Sequence, residues 1–261
     1  MRTIRAEWTK LRTVRSTGWL ILGLIGSTIG IAVMIMLTLH RDLCPEPVGC
    51  EHDFPRLSLA GVYLGQGIVV VLAVLAMTTE YGTTMIRTTL AATPRRGVVL
   101  AAKATVVTAL ALGGGVLGVL GSLVASRLIL PAHGFTRANG YPPLSLTDES
   151  TLRAAGGTVL YLGLIALLSL GIAVILRDTA ASLATVLAAL YAFPVLASLV
   201  NDPAWQERIL KYSPMTAGLA IQATRRLDTL PIGPWQGLGL LAGYAAAAVV
   251  LGAAAFRLRD A

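Results

Sequence analysis

Long apolar segments alternate with shorter polar connections along the whole chain of 261 residues. A helix needs about 20 residues to cross the roughly 30 Å hydrocarbon core of a bilayer. Six segments approach or reach that length: residues 19–39, 60–77, 104–126, 157–176, 180–200 and 237–256. The pattern predicts an all-α fold, a single polytopic domain over residues 1–261 with six transmembrane helices.

Composition supports a membrane protein and argues against a soluble one. Hydrophobic residues make up 55% of the chain, charged residues only 13%, and the mean hydropathy is +0.73. Soluble domains carry about 25% charged residues. The net charge of +8 does not indicate nucleic-acid binding, because the basic residues flank apolar segments instead of forming a stripe on one soluble face.

The basic residues are distributed unevenly between the two sides that six crossings define. The N-terminus, the second and fourth connections and the C-terminal tail together hold twelve basic and four acidic residues, whereas the other side holds nine of each. Because lysine and arginine accumulate in cytoplasmic connections, both termini are predicted to be cytoplasmic. The expected location is the cell membrane, with multiple passes.

The first outer connection, residues 40–59, contains both cysteines, Cys44 and Cys50. Two interpretations stand: unpaired thiols, or a disulfide if the loop faces an oxidising compartment. His40 and His52 lie nearby, but the spacing matches no standard zinc site. No metal site is predicted.

An amphipathic segment precedes the first span, at about residues 2–16. Ile4, Trp8 and Leu11 fall on one face of a helical wheel, and most of the arginines fall elsewhere. This is typical of an elbow helix in the headgroup layer; the alternative is a disordered basic tail. Four residues form the expected interfacial site: Arg5, Trp8, Lys10 and Arg12.

The second connection, about residues 79–97, is longer than a turn between helices requires. Glu80 stands where the second span leaves the bilayer, and a proline at position 94 ends a segment that can form a short helix. Such a helix would present Glu80, Thr84, Arg87 and Thr88 to the cytoplasm. A solvated loop is the alternative.

The spans offer no catalytic chemistry. They contain no histidine or cysteine, so intramembrane hydrolysis lacks its residues. Lys103 lies close enough to a boundary to snorkel, and no other cation or acid lies at the depth that ion-coupled carriers use. The dipeptide Gly-Lys is absent, so the chain has no phosphate-binding loop and is not expected to hydrolyse ATP by itself.

Polar and small residues in the spans suggest a path and close packing. Four polar side chains are candidates for lining a substrate path, although each alone also fits a packing role: Tyr63, Gln66, Tyr161 and Tyr191. Gly26 and Gly30, like Gly114 and Gly118, form Gly-x-x-x-Gly pairs that allow helix backbones to approach closely.

These features resemble the membrane subunits of ABC-2 type transporters, particularly small actinobacterial permeases. Residues 6–17 resemble the family's elbow helix, and residues 80–90 with the Pro-Arg-Arg at 94–96 resemble its first cytoplasmic loop. Tyr212-Ser213-Pro214-Met215 resembles part of the half-penetrating helices before the last span. The number of spans and the placement of the termini also agree.

The resemblance implies a permease with separate partners. Two membrane subunits, a second copy or a sister permease, would each dock an ATP-binding subunit that carries ATP and Mg²⁺, while this chain holds no cofactor. Membrane lipid is a further expected partner, and nucleic acid is not expected. The substrate would be a drug, a peptide antibiotic or a lipid-like amphiphile, usually exported, with a role in resistance. The coupling residues would be Glu80, Tyr81, Gly82, Thr83, Thr84, Arg87, Thr88 and Thr89.

Two other functions remain open at this point. One is a non-transporting membrane anchor or sensor that tethers a cytoplasmic partner, and the other is an ion-coupled secondary carrier. Export cannot be distinguished from import by this chain alone.

Overall fold

A computed structural model describes residues 2–39, 52–82, 96–139, 141 and 144–258. Several predicted features lie outside these residues. They are His40, the disulfide candidates Cys44 and Cys50, and the coupling candidates Thr83, Thr84, Arg87, Thr88 and Thr89.

The described residues are almost entirely helical and include no strand, which confirms the all-α fold. Within the described ranges, six helices are long and apolar enough to cross a membrane: α2 (Arg15–Thr38), α4 (Val62–Gly82), α5 (Arg96–Ile129), α6 (Glu149–Leu176), α7 (Thr179–Leu199) and α10 (Pro234–Leu258). Four shorter helices are α1 (Arg2–Thr13), α3 (Phe54–Ser58), α8 (Pro203–Tyr212) and α9 (Pro214–Leu219).

Each long helix corresponds to one predicted span, with differences at the ends. The helix α4 begins two residues later than the predicted 60–77 segment and continues to Gly82, so it includes Glu80. The helix α5 extends beyond residues 104–126 in both directions. An N-terminal helix also forms where the elbow helix was predicted, although its position relative to a membrane stays a prediction.

The helix α6 occupies the centre of the bundle, because it contacts α4, α5, α7 and α10. Tyr161, Leu162 and Ile165 of this helix are fully buried. In contrast, α2 and α7 expose many large apolar side chains, such as Trp19 and Leu199. Such faces suit contact with lipid tails, which are as apolar as the side chains themselves.

Only one of the two predicted glycine pairs makes a close helix contact. A methyl group at Gly114 would lie 2.9 Å from Leu24 Cδ2, and one at Gly118 would collide with Thr28 Oγ1. Gly26 and Gly30 face open space instead. Because Gly114 and Gly118 have no side chains, α2 packs closely against α5 at these two positions.

The bundle has two chemically different ends. The basic end consists of α1, the last turn of α4, the first turn of α5, the α6–α7 turn at Arg177–Thr179 and the end of α10. The distal end contains α3, α8, α9 and their connections. There the carboxylate of Asp53 accepts hydrogen bonds from Thr224 N (2.7 Å), Thr224 Oγ1 (2.6 Å) and Arg225 N (3.2 Å), which ties α3 to the segment before α10.

Candidate functional site at the basic end

Four charged side chains from three helices meet at the basic end, and we call them the charged cluster: Glu7, Lys10, Glu80 and Lys103. Lys103 Nζ lies 2.9 Å from Glu7 Oε2 and 2.7 Å from Glu80 Oε1. Lys10 Nζ lies 3.1 Å from Glu7 Oε1 and 3.0 Å from Glu80 Oε1. The cluster joins α1, α4 and α5.

Local helix geometry supplies the residues of the charged cluster. Glu7 and Lys10 are three residues apart in α1, so their side chains share one face. Glu80 reaches the cluster because α4 continues past the predicted end of its span. The ammonium of Lys103 has three donors, and Ala76 O, at 3.2 Å, is its third acceptor.

Burial of these charges is tolerated because they are paired. Side-chain exposure is only 3% for Lys103, 4% for Glu7 and 8% for Glu80. Removing charges from water is unfavourable unless partners and hydrogen bonds replace the lost solvation. The cluster contains two acids and two bases and so is formally neutral.

Two expectations about these residues are wrong. Lys103 does not snorkel to water, because two carboxylates and a carbonyl satisfy it inside the bundle. Glu80 is not presented on the surface, because it faces Lys10 and Lys103 at the end of α4. Whether Glu80 takes part in coupling is a separate matter and stays a prediction.

The predicted elbow residues divide between the two faces of α1. Lys10 belongs to the charged cluster, where partial burial lowers its pKa but hydrogen bonds and charges from Glu80 and Glu7 outweigh this effect and raise the pKa above its usual value. Arg5, Trp8 and Arg12 are exposed. The helix α1 thus docks through Glu7, Lys10 and the apolar side chain of Leu11, and leaves Trp8 exposed.

The two described flanks of the predicted coupling segment contact other helices. The guanidinium of Arg177 lies 5.2 Å from the centre of the Tyr81 ring, a cation–π distance. Thr179 Oγ1 donates to Thr78 Oγ1 at 2.8 Å, so the α6–α7 turn docks on α4. On the other flank, Arg96 Nη1 donates to Phe256 O at 3.0 Å, near the end of α10. Gly82 is exposed at the end of α4.

The four candidate path residues lie close together, two of them in the interior, although each was predicted separately. The Tyr161 hydroxyl hydrogen-bonds to Gln66 Oε1, and Gln66 Nε2 lies 2.9 Å from Met215 Sδ. The Tyr191 hydroxyl donates to Tyr63 O. These contacts connect α4, α6, α7 and α9, and both Gln66 and Tyr161 are fully buried. Gln66 and Tyr161 thus form a buried polar contact, whereas Tyr63 is exposed. That these residues line a substrate path stays a prediction.

Sequence reasoning did not predict that three residues would contact the candidate site residues: Glu7, Lys103 and Met215. Glu7 and Lys103 carried a signal, since Glu7 is the one acid in the N-terminal segment and Lys103 the one lysine adjoining a span. Complementary charge could have suggested their pairing. Met215 carried no such signal, because methionine is ordinary in an apolar core.

The charged cluster is a set of ion pairs between helices. The carboxylates of the charged cluster are held by lysines, and among the described residues no three His, Cys, Asp or Glu side chains are grouped to hold a metal ion. No protein-family model matches the chain, and no curated protein matches it either.

Proposed function

We propose that this chain is the permease subunit of an ATP-driven exporter of the ABC-2 type, with the ATPase on a separate subunit. The observation that carries the proposal is the set of contacts around the predicted coupling segment. Its flanks touch α1 and α5 through Glu80, the α6–α7 turn through Tyr81, and α10 through Arg96.

These contacts offer a route for force through the bundle. A partner that displaces residues 83–95 would pull on the end of α4 and the start of α5 together. Movement of Glu80 would shift α1 through Lys10, and movement of Arg96 would shift the end of α10. Packed helices respond to such displacements as rigid bodies with discrete arrangements.

The buried polar group around Gln66 is the part of the interior best suited to recognise a substrate. Separation of α4 from α6 would break the bond between Gln66 and Tyr161 and expose an amide and a hydroxyl within otherwise apolar surroundings. A site with few polar groups on apolar walls suits an amphiphile, such as a drug, a peptide antibiotic or a lipid-like compound.

Co-purification with a nucleotide-binding subunit tests the proposal. The isolated chain should lack ATPase activity, and the complex should hydrolyse ATP. Replacing Arg87 by Ala, or Thr88 and Thr89 together by Ala, should weaken assembly or uncouple hydrolysis from transport. Arg127→Ala, an exposed arginine at the other end of α5, is the matched control and should behave as wild type.

Two results would contradict the assignment. Wild-type assembly and transport in all the coupling variants would remove the coupling segment from the mechanism. A partner that lacks nucleotide-binding motifs would favour the membrane anchor or sensor instead.

An ion-coupled carrier is the second candidate, because Glu80 and Lys103 form a buried pair within helices long enough to span a membrane. The pair lies at the end of α4, beside α1, and not midway along the helix. Transport that survives ATP depletion but stops when the proton gradient is collapsed would favour the carrier.

A further inference from the structure

A cavity of about 400 Å³ lies between α1, α2 and α4, next to the charged cluster. Its volume falls within the range of small-molecule sites, about 300–1,000 Å³. The residues that matter for its chemistry are Lys10, Ser16, Thr17, Leu72, Leu75 and Glu80.

One part of the cavity wall favours an anion. The helix α2 starts at Arg15, directly after the extended residue Val14, and no side chain caps it. The N–H of Thr17 donates to Val14 O at 3.1 Å, which leaves the N–H groups of Arg15 and Ser16; the first N–H groups of a helix have no acceptor within the helix and attract negative charge, above all phosphate. Ser16 and Thr17 of this first turn line the cavity together with Lys10, the charge of which is shared with the carboxylates of Glu7 and Glu80.

Another part of the wall favours a hydrogen-bond donor. Glu80 lines the cavity, and its side chain is only 8% exposed. Its Oε1 atom accepts from both lysines, whereas its Oε2 atom is buried and has no hydrogen-bond partner among the described residues. Buried acceptors in proteins are nearly always paired, so this oxygen marks where a donor is needed.

The remaining wall is apolar. Leu20 comes from α2, and Leu72 and Leu75 come from α4. Since α2 and α4 are both long enough to span a membrane, this wall continues into the region that lipid tails occupy.

We propose that this cavity binds a phospholipid with a primary ammonium headgroup, that is, a phosphatidylethanolamine. The phosphate lies at the start of α2 near Lys10, the ammonium donates to Glu80 Oε2, and the first carbons of a chain cover Leu72 and Leu75. A zwitterionic headgroup matches a charged cluster that is itself neutral. A choline headgroup has no N–H to donate, and a glycerol headgroup carries no cation.

Native mass spectrometry of the full-length chain tests the proposal without reference to ATP or transport. The chain is reconstituted in nanodiscs with equal amounts of phosphatidylethanolamine, phosphatidylcholine and phosphatidylglycerol, and released with its retained lipid. Retention of phosphatidylethanolamine should exceed that of phosphatidylcholine roughly tenfold, as expected for one hydrogen bond to a charged group. Water-soluble phosphoethanolamine should not be retained, because it has no chain for the apolar wall.

Two variants separate the cavity from general lipid contact. Ala76→Leu places a larger side chain in the cavity wall and should abolish the preference, whereas Ala101→Leu, at an exposed position of α5 outside the cavity, should retain it. Glu80→Gln should reduce the preference of phosphatidylethanolamine over phosphatidylcholine.

Equal retention of the ethanolamine and choline lipids by the wild-type chain would overturn the proposal. So would a preference that survives in Ala76→Leu, since the lipid would then bind elsewhere. If Glu80→Gln does not fold, the Ala76→Leu and Ala101→Leu pair still decides the outcome. Failure of these tests would leave the assignment as a permease untouched, because that assignment rests on an ATP-binding partner.

Discussion

At the residue scale, Lys103 joins three helices through its side chain. It is nearly fully buried, it bridges α1 and α4 from α5, and its three donors have three acceptors. A buried ammonium is stable only while such partners remain. The charged cluster therefore holds α1 against the bundle only as a complete set.

Breaking the cluster from one side should be more damaging than removing both partners of its central pair. We expect Glu80→Ala to leave Lys103 with an incomplete set of acceptors and to destabilise the bundle by about 3 kcal/mol. The double variant Glu80→Ala with Lys103→Met should regain part of that loss, since no uncompensated charge stays buried. Denaturation in mixed micelles measures both.

Arg12→Met is the control for these variants, because it removes an exposed cation from α1. It should change stability little. A double variant less stable than Glu80→Ala alone would show that Lys103 stabilises the bundle without Glu80, which would contradict the account of the charged cluster.

Sequence reasoning located the charged residues but not their partners. Glu80 and Lys103 are 23 residues apart, and Glu7 and Lys103 are 96 apart. Helical periodicity relates only residues within a few turns of one helix, so it carries no information about such pairs. Exposure of Glu80 was expected because the second span was predicted to end at residue 77 and Glu80 was placed in a short cytoplasmic helix after it.

At the scale of elements, the close contact between α2 and α5 depends on a glycine surface on α5. Gly118→Ala should destabilise the bundle by about 1–3 kcal/mol, because the added methyl group collides with Thr28 Oγ1. Gly30→Ala is the matched control: it makes the same change in the partner helix, where nothing lies within reach. Thermal unfolding of the two variants in one detergent compares them.

The control should be neutral or slightly stabilising, because alanine lowers the backbone entropy that a helical glycine loses on folding. Equal effects of the two substitutions would mean that helix propensity, and not the contact with α2, governs both positions. The sequence showed two equivalent glycine pairs, and only the structure distinguishes them.

At the distal end, the carboxylate of Asp53 joins α3 to the segment before α10. This side chain caps α3 through Arg56 N and also accepts from Thr224 and Arg225. Asp53→Ala should speed hydrogen exchange at the amides of Thr224 and Arg225. Asp202→Ala, which removes a cap that serves only its own helix α8, should leave those amides unchanged and cost about 1 kcal/mol.

Unchanged exchange at Thr224 and Arg225 in Asp53→Ala would show that these amides are protected by other groups.

The positions of the long helices were predictable, because an apolar segment of membrane-spanning length is a local property. The tie through Asp53 was not, because its partners are 171 and 172 residues away.

At the scale of the whole molecule, the sequence does not predict which of the long helices lie at the centre of the bundle and which lie at its outside. The helix α2 is nearly as apolar as the central α6, and α7 is somewhat less so, yet both expose large side chains. In a membrane, a lipid-facing side chain and a buried one are both apolar, so hydropathy does not separate them. The number of long helices was predictable, and the central position of α6 was not.

The contacts of Glu80 with Lys10 and Lys103 lead to a prediction for the proposed complex with an ATP-binding subunit. In that complex, addition of a non-hydrolysable ATP analogue should change hydrogen exchange across Arg2–Thr13, because displacement of the α4 end would move Glu80 against both lysines. Mass spectrometry of the peptides that cover α1 measures the change.

The variant Glu80→Gln should lose most of this response, since an amide keeps the shape of the side chain but removes the charge that attracts both lysines. Arg127→Ala, at the opposite end of α5, should retain the full response. An α1 signal that is the same in Glu80→Gln and wild type would place the connection elsewhere, for instance in the apolar contact of Leu11 with the core. No α1 signal in the wild-type complex would show that α1 stays fixed while the partner binds ATP, and the charged cluster would then be an anchor and not a transmitting element.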